Sequence, residues 1–183
     1  MNAPALPREA DTCPPGLDLR RASVPVFAHY LDRLAALVEI ARRHAGGAGD
    51  LLDARLAPDM LPFAAQVAVA ANFAPRCCCP LAGQVAPDLG PWPTSFDGLL
   101  DRVVAARAAI DALPAAGFAS DPERRVTDRA GHATVTLPAP EFLLHYALPN
   151  FLFHVTAAYA ILRAQGVPVG KGDFDGFHTY PAK

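Results

Sequence analysis

The sequence predicts an all-α protein, a four-helix bundle with a small β-hairpin between the third and fourth helices. Three observations predict it. Apolar residues recur at alternating spacings of three and four through long segments, which lays an apolar stripe along one helical face. Proline and glycine fall where those segments must start or stop. Between the third and fourth segments the period changes to short runs rich in Thr and Val around a glycine, the pattern of a hairpin. The 183 residues, 52% hydrophobic and only 19% charged, supply enough apolar surface for a packed core and exclude a disordered chain.

Residues 1–18 carry several prolines and no periodicity, so they are expected to form a flexible N-terminal arm ahead of a single domain over 19–183. The first helix is expected from about Ser23 to His44, with Val24, Phe27, Leu31, Leu34, Val38 and Ala41 on its inner face. Ser23 suits the N-cap and Pro25 the first turn, where an N–H has no partner anyway. Gly46-Gly47-Ala48-Gly49 ends it.

A second helix is expected from about Pro58, with Met60, Phe63, Val67, Ala70 and Phe73 or Ala74 facing inward. Pro75 should kink or end it, with a short continuation through Cys77–Ala82. The third helix is marked by Phe96, Leu99, Val103, Ala106, Ile110 and Leu113, capped by Thr94 or Ser95 and stopped by Pro114. The hairpin is expected from Arg125-Val126-Thr127 and Thr134–Leu137 around Asp128–His132. The last helix should run from about Pro140 to Gln165, kinked at Pro149 and closed by Gly166 and Pro168.

Composition also bounds function. Sixteen Lys and Arg against eighteen Asp and Glu leave no basic excess, so nucleic-acid binding is disfavoured. The most apolar stretch, residues 64–74, is too short for a membrane span, and the N-terminal residues carry no export signal. The chain is therefore expected to be cytoplasmic. Three of its four cysteines, Cys77, Cys78 and Cys79, are consecutive, with Cys13 far away; this suits neither a disulfide framework nor a paired zinc motif. They are expected to be reduced, soft helix residues. No phosphate-binding glycine loop, HExxH or GxSxG motif occurs. His29, His44, His132 and His178 are expected to be mostly exposed, and Lys171 and Asp173 to form a surface ion pair. Phe27, Tyr30, Phe151, Phe153 and Tyr159 are expected in the core or at a subunit interface.

The run from Glu141 to Pro168, with Leu144-His145-Tyr146-Ala147-Leu148-Pro149-Asn150-Phe151 and Phe153-His154 at its centre, resembles a bacterial family of unknown function, DUF1993. So do Arg21–Phe27, Leu56–Pro62 with Gln66, and Gly170–Phe174. The resemblance spans roughly residues 20–177. It extends, more distantly, to the DinB-like superfamily of four-helix bundles, and so implies the same fold.

Many DinB-like proteins hold a divalent metal with three histidines, two of them four residues apart on the last helix and one on the second. Set beside that pattern, the second histidine of the pair falls on His154, the first on Asn150, and the third near Gln66. No histidine lies between His44 and His132, so the second helix supplies none. Amide oxygens are weak ligands for Zn or Ni, and the triad is expected to be degenerate. His145 lies nine residues from His154, about 900° and so half a turn out of phase, unless the Pro149 kink turns it. Asp59 is accounted for by the helix dipole in a first turn. Two readings follow. In the first, Gln66, Asn150 and His154 form a buried polar cluster in a non-enzymatic binding or assembly protein, a homodimer without a cofactor. In the second, His154 joins Asn150, Gln66 or Asp59 around a divalent metal in a thiol-transferase-type enzyme. The missing histidines favour the first.

Overall fold

The computed structural model describes residues 18–46, 50–118 and 123–179. Four long helices build the bundle: α1 (Leu19–Ala45), α3 (Phe63–Leu81), α4 (Phe96–Asp111) and α6 (Leu148–Ala164). A single turn, α2 (Asp50–Asp53), follows α1, and a 3₁₀ turn (Ala115–Phe118) follows α4. Strands β1 (Arg125–Ala130) and β2 (Ala133–Pro138) pair antiparallel with Thr127 opposite Thr136. One turn, α5 (Ala139–Glu141), and a π-helical segment (Phe142–Ala147) lead into α6, and α7 (Lys171–Asp175) closes the described chain. The hairpin between the third and fourth long helices is as the sequence predicts. The expected arm lies outside the described residues apart from Asp18.

The stripes predicted for α1 and α4 are buried. Phe27, Leu31, Leu34, Val38 and Ala41 on α1, and Leu99, Ala106 and Ile110 on α4, are all fully buried. Phe27 meets Phe151 of α6 with ring centroids 4.7 Å apart, which joins the first and last helices across the core. Ser95 caps α4 by accepting from the Gly98 amide at 3.1 Å.

Three features differ from the sequence reading. α1 begins a turn earlier, at Leu19, because the Asp18 carboxylate accepts from the Arg21 amide at 2.7 Å and is the better cap. Ser23, the expected cap, is buried inside the helix and donates back to the Leu19 carbonyl. The second long helix begins at Phe63, not Pro58: Pro62 is extended and precedes it, and residues 54–62 form turns in which the Met60 amide bonds to Ala57. Met60 is therefore a turn residue, and Asp59 lies exposed outside any helical first turn. α3 then runs unbroken through Pro75 and Pro80 to Leu81, because Ala70, Ala71, Phe73, Ala74 and the three cysteines bury enough apolar surface to offset two lost backbone bonds.

The kink expected at Pro149 takes the form of the π segment before it. Leu148 N–H donates to Leu143, five residues back. A widened turn moves the backbone away from the clash a proline ring makes with the carbonyl four residues earlier. The α6 end is as expected: Gly166 has φ 77°, and the Val167 amide reaches back to the Leu162 carbonyl. α7 is a further short helix that no sequence periodicity marks. Asp173 accepts from the Gly170 amide at 2.7 Å, while Lys171 lies 3.2 Å from His178, so these two residues bond to other groups than each other. His29 is half-buried, with its Nε2 2.7 Å from the Asp175 carbonyl. None of the described helices is long and apolar enough to cross a membrane.

Candidate functional site

The seam between α3 and α6 carries the candidate site. The helices run antiparallel, so Gln66 near the start of α3 faces His154 on α6. His154 Nδ1 lies 2.7 Å from Gln66 Oε1. Gln66 is 1% exposed, and its Nε2 donates to the Leu61 carbonyl at 3.3 Å. That second bond fixes the amide: its NH₂ faces a carbonyl and its oxygen faces the ring. An amide oxygen only accepts, so Nδ1 carries the proton and Nε2 keeps its lone pair. Burial pushes the His154 pKa below its ordinary value of 6.5, so the ring is neutral at pH 7. Phe73 stacks on it at 5.8 Å and Phe153 meets it edge-on at 5.2 Å.

Of the other residues singled out by sequence, Asn150 is one turn from His154 but its Nδ2 donates to the Tyr146 carbonyl of its own helix at 2.7 Å. His145 and Asp59 are exposed, and neither is brought into a hydrogen bond with His154 among the described residues. The π segment changes the phase between His145 and His154 without turning His145 inward. Cys77, Cys78 and Cys79 are buried, and desolvation raises all three thiol pKa values, which disfavours the nucleophilic thiolate.

A second polar group sits farther along the same seam and was missed from sequence. Arg76 Nη2 pairs with Asp128 Oδ2 at 2.7 Å and donates to the Arg129 carbonyl at 2.7 Å. Tyr146 donates its hydroxyl to the same Asp128 oxygen at 2.8 Å. Burial and the Asp128 carboxylate both push the Tyr146 pKa upward, so it stays a donor. Arg76 also lies over the Phe73 ring, 4.9 Å from its centre. The group fastens the hairpin to α3 and to the π segment. Its one sequence signal is a lone arginine inside the apolar run from Phe63 to Leu81, where a cation needs a partner.

The family model of DUF1993, a domain of unknown function, matches residues 19–175. The chain belongs to the DUF1993 family. A crystal structure of a DinB family member from Shewanella denitrificans is similar to it at 30% sequence identity and a TM-score of 0.79, over 90% of this chain and 96% of that one. No curated protein matches the chain. Both the family and the DinB-like bundle expected from sequence thus hold.

The resemblance to DinB-like proteins implies a three-histidine metal site at this seam, and this DUF1993 chain does not fit one. Its donors are one imidazole and two carboxamides. The Gln66 oxygen is committed to His154, and the Asn150 amino group to a backbone carbonyl. Among the described residues, no three His, Cys, Asp or Glu side chains come together to hold an ion. The Gln66–His154 pair has a pH consequence. The unfolded ring takes up a proton at its ordinary pKa, while the folded ring does so only at lower pH. Between the two the unfolded state binds more protons, so stability falls as pH drops below 6.5. A denaturant series from pH 7 to 5 is expected to show the wild type losing stability relative to His154→Gln; parallel curves would contradict a half-buried neutral ring.

Proposed function

We propose that this DUF1993 protein is a non-enzymatic binding or assembly bundle, cytoplasmic and homodimeric, in which a hydrogen-bonded pair replaces the superfamily's metal site. One observation carries the reading: His154 Nδ1 lies 2.7 Å from Gln66 Oε1, an oxygen that can only accept. That bond occupies the oxygen of buried Gln66 and a ring N–H of half-buried His154, and an unpaired buried amide would cost on the order of 1–3 kcal/mol. Self-association is supported by exposed apolar side chains at Leu56, Leu61 and Phe153, the last 57% exposed, beside a shallow groove lined by Met60, Leu152 and Ala160.

The competing reading is a metal-dependent transferase of the DinB-like thiol type. It draws on the same bond, since a metal-ligating histidine commonly donates its other ring N–H to a fixed acceptor. Elemental analysis of untagged protein separates the two. The expected result is no stoichiometric Zn, Ni or Mn in the wild type and no change in His154→Ala. One equivalent of metal, lost in His154→Ala, would favour the enzyme.

A further inference from the structure

The loop between α3 and α4 folds back over the bundle and lines a half-open cavity of about 280 Å³ beside Arg76. Its lining is rich in donors and poor in acceptors. Arg102 of α4 is 5% exposed and donates to Asn72 Oδ1 at 2.7 Å, to the Gly90 carbonyl at 2.8 Å and to the Pro91 carbonyl. These acceptors are all neutral. Among the described residues no carboxylate pairs with this buried guanidinium, and its Nε has no acceptor. The Asn72 oxygen is taken by Arg102, so what Asn72 has left to offer is its amino group. Arg76 uses Nε and Nη2 on Asp128 and Arg129, and no described residue accepts from its Nη1.

Arg76 is already paired with Asp128, so Arg102 is the lining's cation without a hydrogen-bonded carboxylate; the lining's own carboxylate, Asp88, is exposed and accepts from the Gly90 amide at 2.9 Å. The Arg102 cation, spare N–H groups on Arg76 and Asn72 and apolar walls from Pro75, Leu89 and Trp92 define the complementary ligand. We infer that this cavity binds a small organic monocarboxylate with an apolar body, its oxygens accepting from Arg76 and Asn72 beside the Arg102 charge. A phosphate dianion would bring excess charge against Asp88 and offer nothing to the apolar walls. Burial lowers the Arg102 pKa while Asp88 raises it, as expected for a cation short of a partner.

Trp92, the chain's one tryptophan, lines the cavity with the Arg102 guanidinium 5.7 Å from its ring centre, so its fluorescence reports occupancy. Cyclohexanecarboxylate is transparent at these wavelengths. Titrated into the full chain, it is expected to give a saturable change below about 10 mM, whereas cyclohexanecarboxamide gives none. Asn72→Asp places a counter-ion beside Arg102 and is expected to weaken binding by about tenfold or more. Asp88→Asn removes the opposing carboxylate and is expected to tighten it, a gain that misfolding would not mimic. No saturation, equal binding of the carboxamide, tighter binding of inorganic phosphate, or two variants that leave the affinity unchanged would each overturn the assignment.

Discussion

Replacing Gln66 and Asn150 together by histidine is expected to turn this chain into a metal binder. Positions 150 and 154 share a face of α6, and position 66 already reaches the His154 ring. Three imidazoles there would make a nitrogen-donor site with an open position, the arrangement zinc favours. With zinc at 100 times its dissociation constant, the gain is about 2.7 kcal/mol. For a chain of this size that raises the melting temperature by roughly 5–10 °C. The wild type should show no such rise. A double variant that folds yet gains no metal-dependent stability would mean that the three positions do not converge.

That pairing was only partly legible. The absence of a histidine between His44 and His132 is a sequence fact, and it identified the second helix as the deficient one. Placing Gln66 opposite His154 needed the family resemblance, because nothing local links residues 88 apart. Asn150 was expected in the same cluster. Its short amide instead bonds one turn back along its own helix, a local option that a spacing argument does not weigh. Arg76, Asp128 and Tyr146 escaped notice for a related reason: they meet only when the hairpin folds onto α3, and no periodicity encodes that contact.

The fold was legible wherever one face of a helix is buried along its whole length. α1 and α4 show this with stripes of threes and fours that match their buried residues. Legibility failed where proline chemistry competes with packing. Pro58 reads as a helix start, but Pro62 takes the position before the helix. Pro75 reads as a kink or an end with a short continuation beyond it, and the burial around it carries α3 on as one helix. α7 spans five residues, too few for a period, and is held by Asp173 at its start.

Phe151→Ala is the largest stability change expected from a single substitution near the site. The ring is fully buried against Phe27, and deleting it leaves a cavity between α1 and α6. The expected loss is about 3–5 kcal/mol, transfer and cavity terms together. Phe153→Ala, two residues away, removes a ring that is 57% exposed and should change monomer stability by about 0.5 kcal/mol or less. Urea melts of the two variants at low protein concentration check both the facing of α6 and the seat of His154. Equal losses would mean that α6 is rotated from the orientation described.

The imidazole's own proton is the most direct probe of the Gln66–His154 bond. Nitrogen NMR of untagged, ¹⁵N-labelled protein at pH 7 reads the state of each ring nitrogen. The expected spectrum is that of a neutral His154 protonated on Nδ1, with Gln66→Leu abolishing the preference for that tautomer. A proton on Nε2, a charged ring, or the shift of a metal-bound nitrogen would contradict it.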